Sequence, residues 1–307
     1  MIFYGVTNFD RQLLEDFSRE KNVKLGSFES IRFPDRELSL IVNDDVAGED
    51  CVIIGSTAPP LEQFFQLLML ADALKRAGSS YVQAFIPYMG YSRQDSNAAN
   101  EWGGIEAIGR MLKTAGVDSI ITIDIHSRQA DKLIDMPVIN LYPVYIFGPL
   151  VKRLGWQDYC VLAPDEGAKI RARALALYLG EAKPVSYMIK RRIDSIIQST
   201  LTSNICDRVA IVDDILDSGK TLVSACNLLK NRGVKEITVI VTHGLFNNSA
   251  WRRLFALNVT AIYVSDSTPN AFRQHHPNIV HVPILPMLEA AYPNLILEEK
   301  RHEKNVI

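Results

Sequence analysis

The chain has 307 residues, of which 48% are hydrophobic and 22% charged, and its formal net charge is −2. A chain of this size and balance can bury a large core without disulfides or a structural metal, and at roughly 150 residues per domain it points to two domains. The near-neutral charge excludes bulk steering towards nucleic acid or an anionic membrane, so any anion site has to be built locally.

Along the chain, short runs rich in Ile and Val alternate with helical patterns. Strands are expected at 51–54, 82–86, 120–125, 159–162, 185–189, 209–212, 237–241 and 261–264. These runs are apolar on both faces, as parallel strands covered by helices are. Helices are expected at 61–77, 104–115, 169–179 and 221–232, followed by Gly78, Gly116, Gly180 and Gly233 where a left-handed cap is wanted. Such alternation argues for parallel α/β sheets. One exception lies between residues 27 and 42, where two alternating segments flank Phe33-Pro34-Asp35-Arg36-Glu37 and read as an antiparallel hairpin or flap. The strand–helix rhythm runs twice, before and after about residue 145, with Leu141-Tyr142-Pro143 as the junction. The charged stretch 298–304 reads as an exposed end.

No stretch approaches the ~18 uninterrupted apolar residues of a membrane span. Met1-Ile2-Phe3-Tyr4 does not resemble a secretory signal. Cys51, Cys160, Cys206 and Cys226 are far apart and form no C-x-x-C pair, so the expectation is reduced thiols in a cytoplasmic protein.

The segment richest in chemistry is Val209-Ala210-Ile211-Val212-Asp213-Asp214-Ile215-Leu216-Asp217-Ser218-Gly219-Lys220-Thr221. An apolar strand ends in two acids, a short Ser-Gly-Lys loop follows, and a helix opens. In a parallel sheet this puts the loop at the carboxyl end of the strand, where ligands bind. The helix N-terminus offers N–H groups to a phosphate, and Gly219 allows close backbone approach. Asp213 and Asp214 suit hydroxyl donors, so phosphate and diol together describe a sugar phosphate. A P-loop would need Gly five residues before Gly219; Asp214 stands there instead. A lone Asp-Asp pair is usually two solvated acids, and it is the whole strand–acids–loop–helix order that favours a site.

This segment resembles the phosphoribosyl-diphosphate loop of type I phosphoribosyltransferases and ribose-phosphate pyrophosphokinases. Further segments resemble the pyrophosphokinases in particular, in the same order along the chain. They are Phe33-Pro34-Asp35-Arg36-Glu37, Ile86-Pro87-Tyr88 leading to Tyr91-Ser92-Arg93-Gln94-Asp95, Asp124-Ile125-His126, Pro164-Asp165-Glu166-Gly167, Lys190-Arg191-Arg192 and Thr242-His243-Gly244. The resemblance covers roughly residues 2 to 292.

It implies an α/β fold of two type I phosphoribosyltransferase-like domains, each a mainly parallel sheet flanked by helices. The first, 1–143 rejoined by 285–297, carries the flap; the second, 144–284, carries the ribose 5-phosphate loop. It implies Mg²⁺-dependent transfer of a diphosphoryl group from ATP to ribose 5-phosphate, giving AMP and phosphoribosyl diphosphate for nucleotide biosynthesis. Lys190 and Arg192 match the catalytic cations, at the start of a loop running to about Thr202. Phe33, Asp35, Glu37, Arg93, Gln94 and His126 match the ATP positions, and His126 and Asp165 the Mg²⁺ positions. Asp213, Asp214, Asp217, Ser218, Gly219, Lys220 and Thr221 match the ribose 5-phosphate loop. The flap of the family enters a neighbouring subunit's site, implying a homo-oligomer, either a dimer or a dimer-based hexamer. Arg171 is a weaker phosphate candidate, and Arg173 reads as a solvated charge.

The chain departs from the family at several places. Ala98 and Glu101 replace residues that help hold ATP, which leaves donor preference open. Ala47 stands where many members have an Arg of a regulatory phosphate site, and Asn100-Glu101 where Ser-Arg is usual. Losing an anion clamp and adding a carboxylate both predict weak regulation by phosphate or ADP. Lys220 replaces a small residue. Two rivals remain at this point: a phosphoribosyltransferase, and a catalytically weak or regulatory homologue.

Overall fold

A computed structural model describes residues 1–96, 98, 100–180, 185–193, 196–203 and 205–292, and for residues 128, 190–193, 196–199 and 272 the backbone alone. The charged stretch 298–304, residues 293–297 and the side chains of Lys190, Arg191 and Arg192 lie outside the described residues. The chain divides into two compact units, Met1–Leu141 with the segment from Leu285, and Tyr142–Ile284.

The first unit opens with β1 (Ile2–Gly5), α1 (Asn8–Lys21), β2 (Lys24–Leu25), β3 (Phe28–Arg32) and β4 (Leu38–Val42). It continues through β5 (Asp50–Ile54), α2 (Leu61–Arg76), β6 (Tyr81–Ile86), α3 (Gly104–Thr114), β7 (Ser119–Ile123), α4 (Arg128–Lys132) and β8 (Val138–Leu141). Six strands form a parallel sheet in the order β2-β1-β5-β6-β7-β8. All five residues of β7 are buried, as are the last four of β5, which explains why these strands read as continuous apolar runs. Ile105, Ile108 and Leu112 present one buried stripe of α3 at helical spacing. Strands β3 and β4 pair antiparallel as a separate two-stranded hairpin, the flap expected from their alternation.

The second unit holds α5 (Val144–Arg153), β9 (Cys160–Ala163), α6 (Lys169–Leu179), β10 (Val185–Ile193), β11 (Ile196–Leu201), β12 (Arg208–Leu216), α7 (Lys220–Asn231) and β13 (Glu236–Gly244). A 3₁₀ segment (Ala250–Leu257), β14 (Val259–Ser265), α8 (Pro269–Phe272) and β15 (Ile279–Val282) follow, and α9 (Leu285–Ala291) belongs to the first unit. The sheet order is β11-β10-β9-β12-β13-β14-β15, parallel except where β11 runs antiparallel to β10. Gly78, Gly116, Gly180 and Gly233 all have positive φ, between 80° and 129°.

Three features differ from the expectation. Asp213 and Asp214 lie inside β12, which runs on to Leu216 because β13 continues beside it to Gly244. The segment from Lys190 to Thr202 is largely an antiparallel ribbon, with Lys190 opposite Ser199 and Arg192 opposite Ile197. Cys160 and Cys206 are bonded rather than reduced, their Cα atoms 5.5 Å apart, because the segment entering β12 passes beside the start of β9. Cys51 and Cys226 are free and buried. Among the described residues no helix is long and apolar enough to cross a membrane.

Candidate active site

In the second unit, β9 and β12 are adjacent parallel strands, so the loop after β9 and the end of β12 share one edge of the sheet. Asp165 lies two residues beyond β9, and its Oδ1 accepts from the Ala168 N–H at 3.1 Å, fixing the turn into α6. Asp213 and Asp214 are only 8% and 6% exposed. Asp213 Oδ1 accepts from the Asp214 N–H at 3.0 Å. Burial, then the neighbouring Asp214 and Asp165 charges, push the Asp213 carboxyl well above the ordinary carboxylate range.

The polar loop that follows has the form an anion needs. Gly219 is the N-cap of α7 at φ 79°, and no side chain caps the helix, so its first N–H groups meet no capping oxygen. A Cβ at Gly219 would lie 3.0 Å from the Trp251 Cα, so the loop backbone packs directly on the 3₁₀ segment. Asp217 Oδ1 accepts from Asn247 Nδ2 at 2.7 Å, which anchors the loop from the far side. Ser218 and Thr221 are half-buried and Lys220 is exposed.

Strand β10 leaves the sheet beside β9, with Tyr187 opposite Ala163, and carries Lys190 and Arg192 away in its ribbon with β11. The ribbon closes at its base: Thr202 N–H donates to the Tyr187 carbonyl at 3.1 Å, and Tyr187 N–H to Thr202 Oγ1 at 2.9 Å. Arg173 is not simply a solvated charge. Its guanidinium lies over the Tyr187 ring, and its Nε donates to the Tyr187 hydroxyl at 2.7 Å. Arg171 also has partners that the sequence did not reveal: its side chain approaches Asp214 and the Gly167 carbonyl.

In the first unit, Arg93 and Gln94 lie in the turn after β6, and His126 lies three residues beyond β7, again on neighbouring parallel strands. The two loops are tied directly. Ser127 Oγ donates to Asp95 Oδ2 at 2.5 Å, and Gln129 Nε2 to the Asp95 carbonyl at 3.3 Å. Arg93 and Gln94 are exposed, and His126 is half-buried. Between β7 and His126, buried Asp124 takes φ 49°, a sharp reversal that ends the strand. Phe33, Asp35 and Glu37 sit exposed at the hairpin tip, closed by Phe33 N–H to the Glu37 carbonyl at 2.8 Å and Glu37 N–H to Asp35 Oδ1 at 3.0 Å. Among the described residues, no three His, Cys, Asp or Glu side chains gather closely enough to hold a metal by themselves.

Residues 1–116 match the family model described as the N-terminal domain of ribose phosphate pyrophosphokinase, and residues 186–292 the phosphoribosyl synthetase-associated domain. A ribose-phosphate pyrophosphokinase of Thermotoga maritima is 32% identical over 274 residues, covering 87% of this chain and 86% of its own. The chain belongs to the ribose-phosphate pyrophosphokinase family. The enzyme of that name from Campylobacter jejuni is 32% identical over 292 residues, covering 93% of this chain and 92% of its own. A crystal structure of phosphoribosylpyrophosphate synthetase from Mycobacterium smegmatis superposes with a TM-score of 0.83 at 26% identity, over 96% of this chain and 99% of that one. The α/β pyrophosphokinase fold expected from the motifs is therefore the fold of this chain.

Proposed function

We propose that this pyrophosphokinase-family enzyme transfers the β,γ-diphosphoryl group of ATP to the C1 hydroxyl of ribose 5-phosphate. The observation that carries the proposal is one loop pairing two buried acids with an uncapped helix N-terminus: Asp213 and Asp214 in β12, Gly219 at the start of α7. The helix N–H groups and the Ser218 and Thr221 hydroxyls take the 5-phosphate. The acids accept from the ribose hydroxyls. Arg93 and Gln94, tied to the His126 loop, take the nucleotide, and Phe33, Asp35 and Glu37 take its adenine.

In the reaction the C1 oxygen forms a bond to the β-phosphorus, the bond from that phosphorus to the α–β bridging oxygen breaks, AMP leaves with that oxygen, and the hydroxyl proton passes to water. His126 and Asp165 are the candidate Mg²⁺ ligands. Mg²⁺ keeps several waters and leans on substrate phosphates, so it needs few protein ligands. When bound, Mg²⁺ neutralises charge on the polyphosphate. Lys190 and Arg192 stabilise the charge spread over the transferring group, so this chain's own contribution is positioning plus electrostatics. The exposed hairpin tip serves the nucleotide site of a second copy, which makes the working enzyme a homo-oligomer.

The test is activity of the His126→Ala, Asp165→Asn double variant with ATP, ribose 5-phosphate and Mg²⁺. The expected result is a folded protein without product formation. Full activity in that variant, or in excess chelator, would overturn the metal assignment.

A further inference from the structure

Arg171 stands in the first turn of α6, in a turn that holds no acid. A cation there faces the positive end of the helix dipole, so helix stability does not account for it. Nor is it a solvated surface charge, since its side chain is 11% exposed. Its guanidinium reaches in two directions. One terminal nitrogen lies 3.6 Å from Asp214 Oδ2, whose side chain is 9% exposed, and the other donates to the Gly167 carbonyl at 2.9 Å. Gly167 belongs to the turn that Asp165 fixes through Ala168. The side chain therefore bridges the loop after β9 and the acid pair of β12, and the Asp214 and Asp165 charges both act on Asp213.

We infer that Arg171 is a positioning residue for the sugar-phosphate site: its two-pronged contact sets the spacing between the Asp165 loop and the Asp213–Asp214 pair and offsets their mutual repulsion. This rests on the proposed function above, which assigns the sugar hydroxyls to the pair and Mg²⁺ to Asp165. A planar guanidinium makes both contacts at once; a lysine ammonium on its flexible stem supplies the charge without the fixed fork. Misplacing either loop by an ångström moves the attacking hydroxyl relative to the diphosphoryl group, an error that costs on the order of 10²-fold in rate. In this assignment Arg171 acts through Asp214 and the Gly167 carbonyl.

The test compares wild type, R171K and R171M for phosphoribosyl diphosphate formation at varied ribose 5-phosphate and varied Mg²⁺. In parallel it measures the rise in Tm that ribose 5-phosphate with Mg²⁺ produces in each protein. The expected result is an R171M loss of about 10²-fold in kcat/KM for ribose 5-phosphate. A higher Mg²⁺ requirement and a smaller ligand-induced Tm rise should accompany it, with partial recovery in R171K. Kinetics and Tm rise in R171M matching the wild type would overturn the inference, as would a loss fully repaired by R171K, which would leave charge alone as the role. Should R171M not fold, R171K decides: wild-type values for it overturn the inference. An inactive wild type that still shows the ligand-induced Tm rise would sink the proposed function and leave Arg171 to be judged on that rise. An absent rise in the wild type would overturn the inference.

Discussion

Ser127 donates its hydroxyl to the Asp95 carboxylate, the side-chain bond between the loop bearing Arg93 and Gln94 and the loop bearing His126, beside the Gln129 bond to the Asp95 backbone carbonyl. Asp95→Ala removes the acceptor. A hydrogen bond to a charged group contributes about 1.5–3 kcal/mol, so KM for ATP should rise by roughly one to two orders of magnitude if the loops must be held together to bind nucleotide. kcat at saturating ATP should change less. Steady-state kinetics against ATP decide the matter, and an unchanged KM would detach this bond from nucleotide binding.

Gly219 offers a second prediction. Its φ of 79° and the 3.0 Å approach of Trp251 to a would-be Cβ both oppose a side chain. Gly219→Ala should cost about 1–2 kcal/mol from the backbone alone, with a further cost from crowding. The loop would shift off the helix N-terminus, so KM for ribose 5-phosphate should rise more than KM for ATP. Equal changes in both would mean general destabilisation.

Lys190 and Arg192 sit two residues apart in the β10–β11 ribbon. Lys190→Ala or Arg192→Ala should lower kcat by about 10²–10³-fold with little change in either KM, as loss of a group acting on the transition state does. Arg191→Ala should be milder. An unchanged kcat in both variants would return these residues to an ordinary solvated patch.

Asp10 gives a pH prediction unconnected with catalysis. It completes a capping box with Thr7 at the start of α1, yet burial pushes its carboxyl up to about 6 from 3.8. Because the folded value is raised, the folded chain holds a proton that the unfolded chain has lost between about pH 4 and 6. The stability this protonation contributes is present below pH 4 and is lost as pH rises through 6. Two pKa units correspond to roughly 3 kcal/mol. Urea unfolding of wild type and Asp10→Asn should therefore diverge between pH 4 and 7, with the variant gaining relative stability as pH rises. A difference constant across that range would contradict the assignment.

Much of this architecture was legible because parallel strands buried on both faces declare themselves: the runs at 51–54 and 237–241 sit within β5 and β13. The flap was legible from alternation, and the acid pair from its place in a strand–loop–helix order. Helix α5 was not, because Gly148-Pro149 reads as a break. The helix nevertheless continues through Pro149, and Gly148 lets the Tyr178 ring pack where a Cβ would come within 2.6 Å of it. The Cys160–Cys206 bond joins residues 46 apart, which no spacing rule announces. The partners of Arg171 and Arg173 were hidden for a similar reason: a charged residue on a helix reads as solvated until the neighbouring strands are placed around it.

The β-phosphorus of ATP reports on diphosphoryl transfer directly. Purified protein with ribose 5-phosphate, Mg²⁺ and ATP labelled at the β-phosphate should give AMP and labelled phosphoribosyl diphosphate in equal amounts, with no product in chelator. Label recovered only in ADP, with the γ-phosphate released or transferred alone, would contradict diphosphoryl transfer.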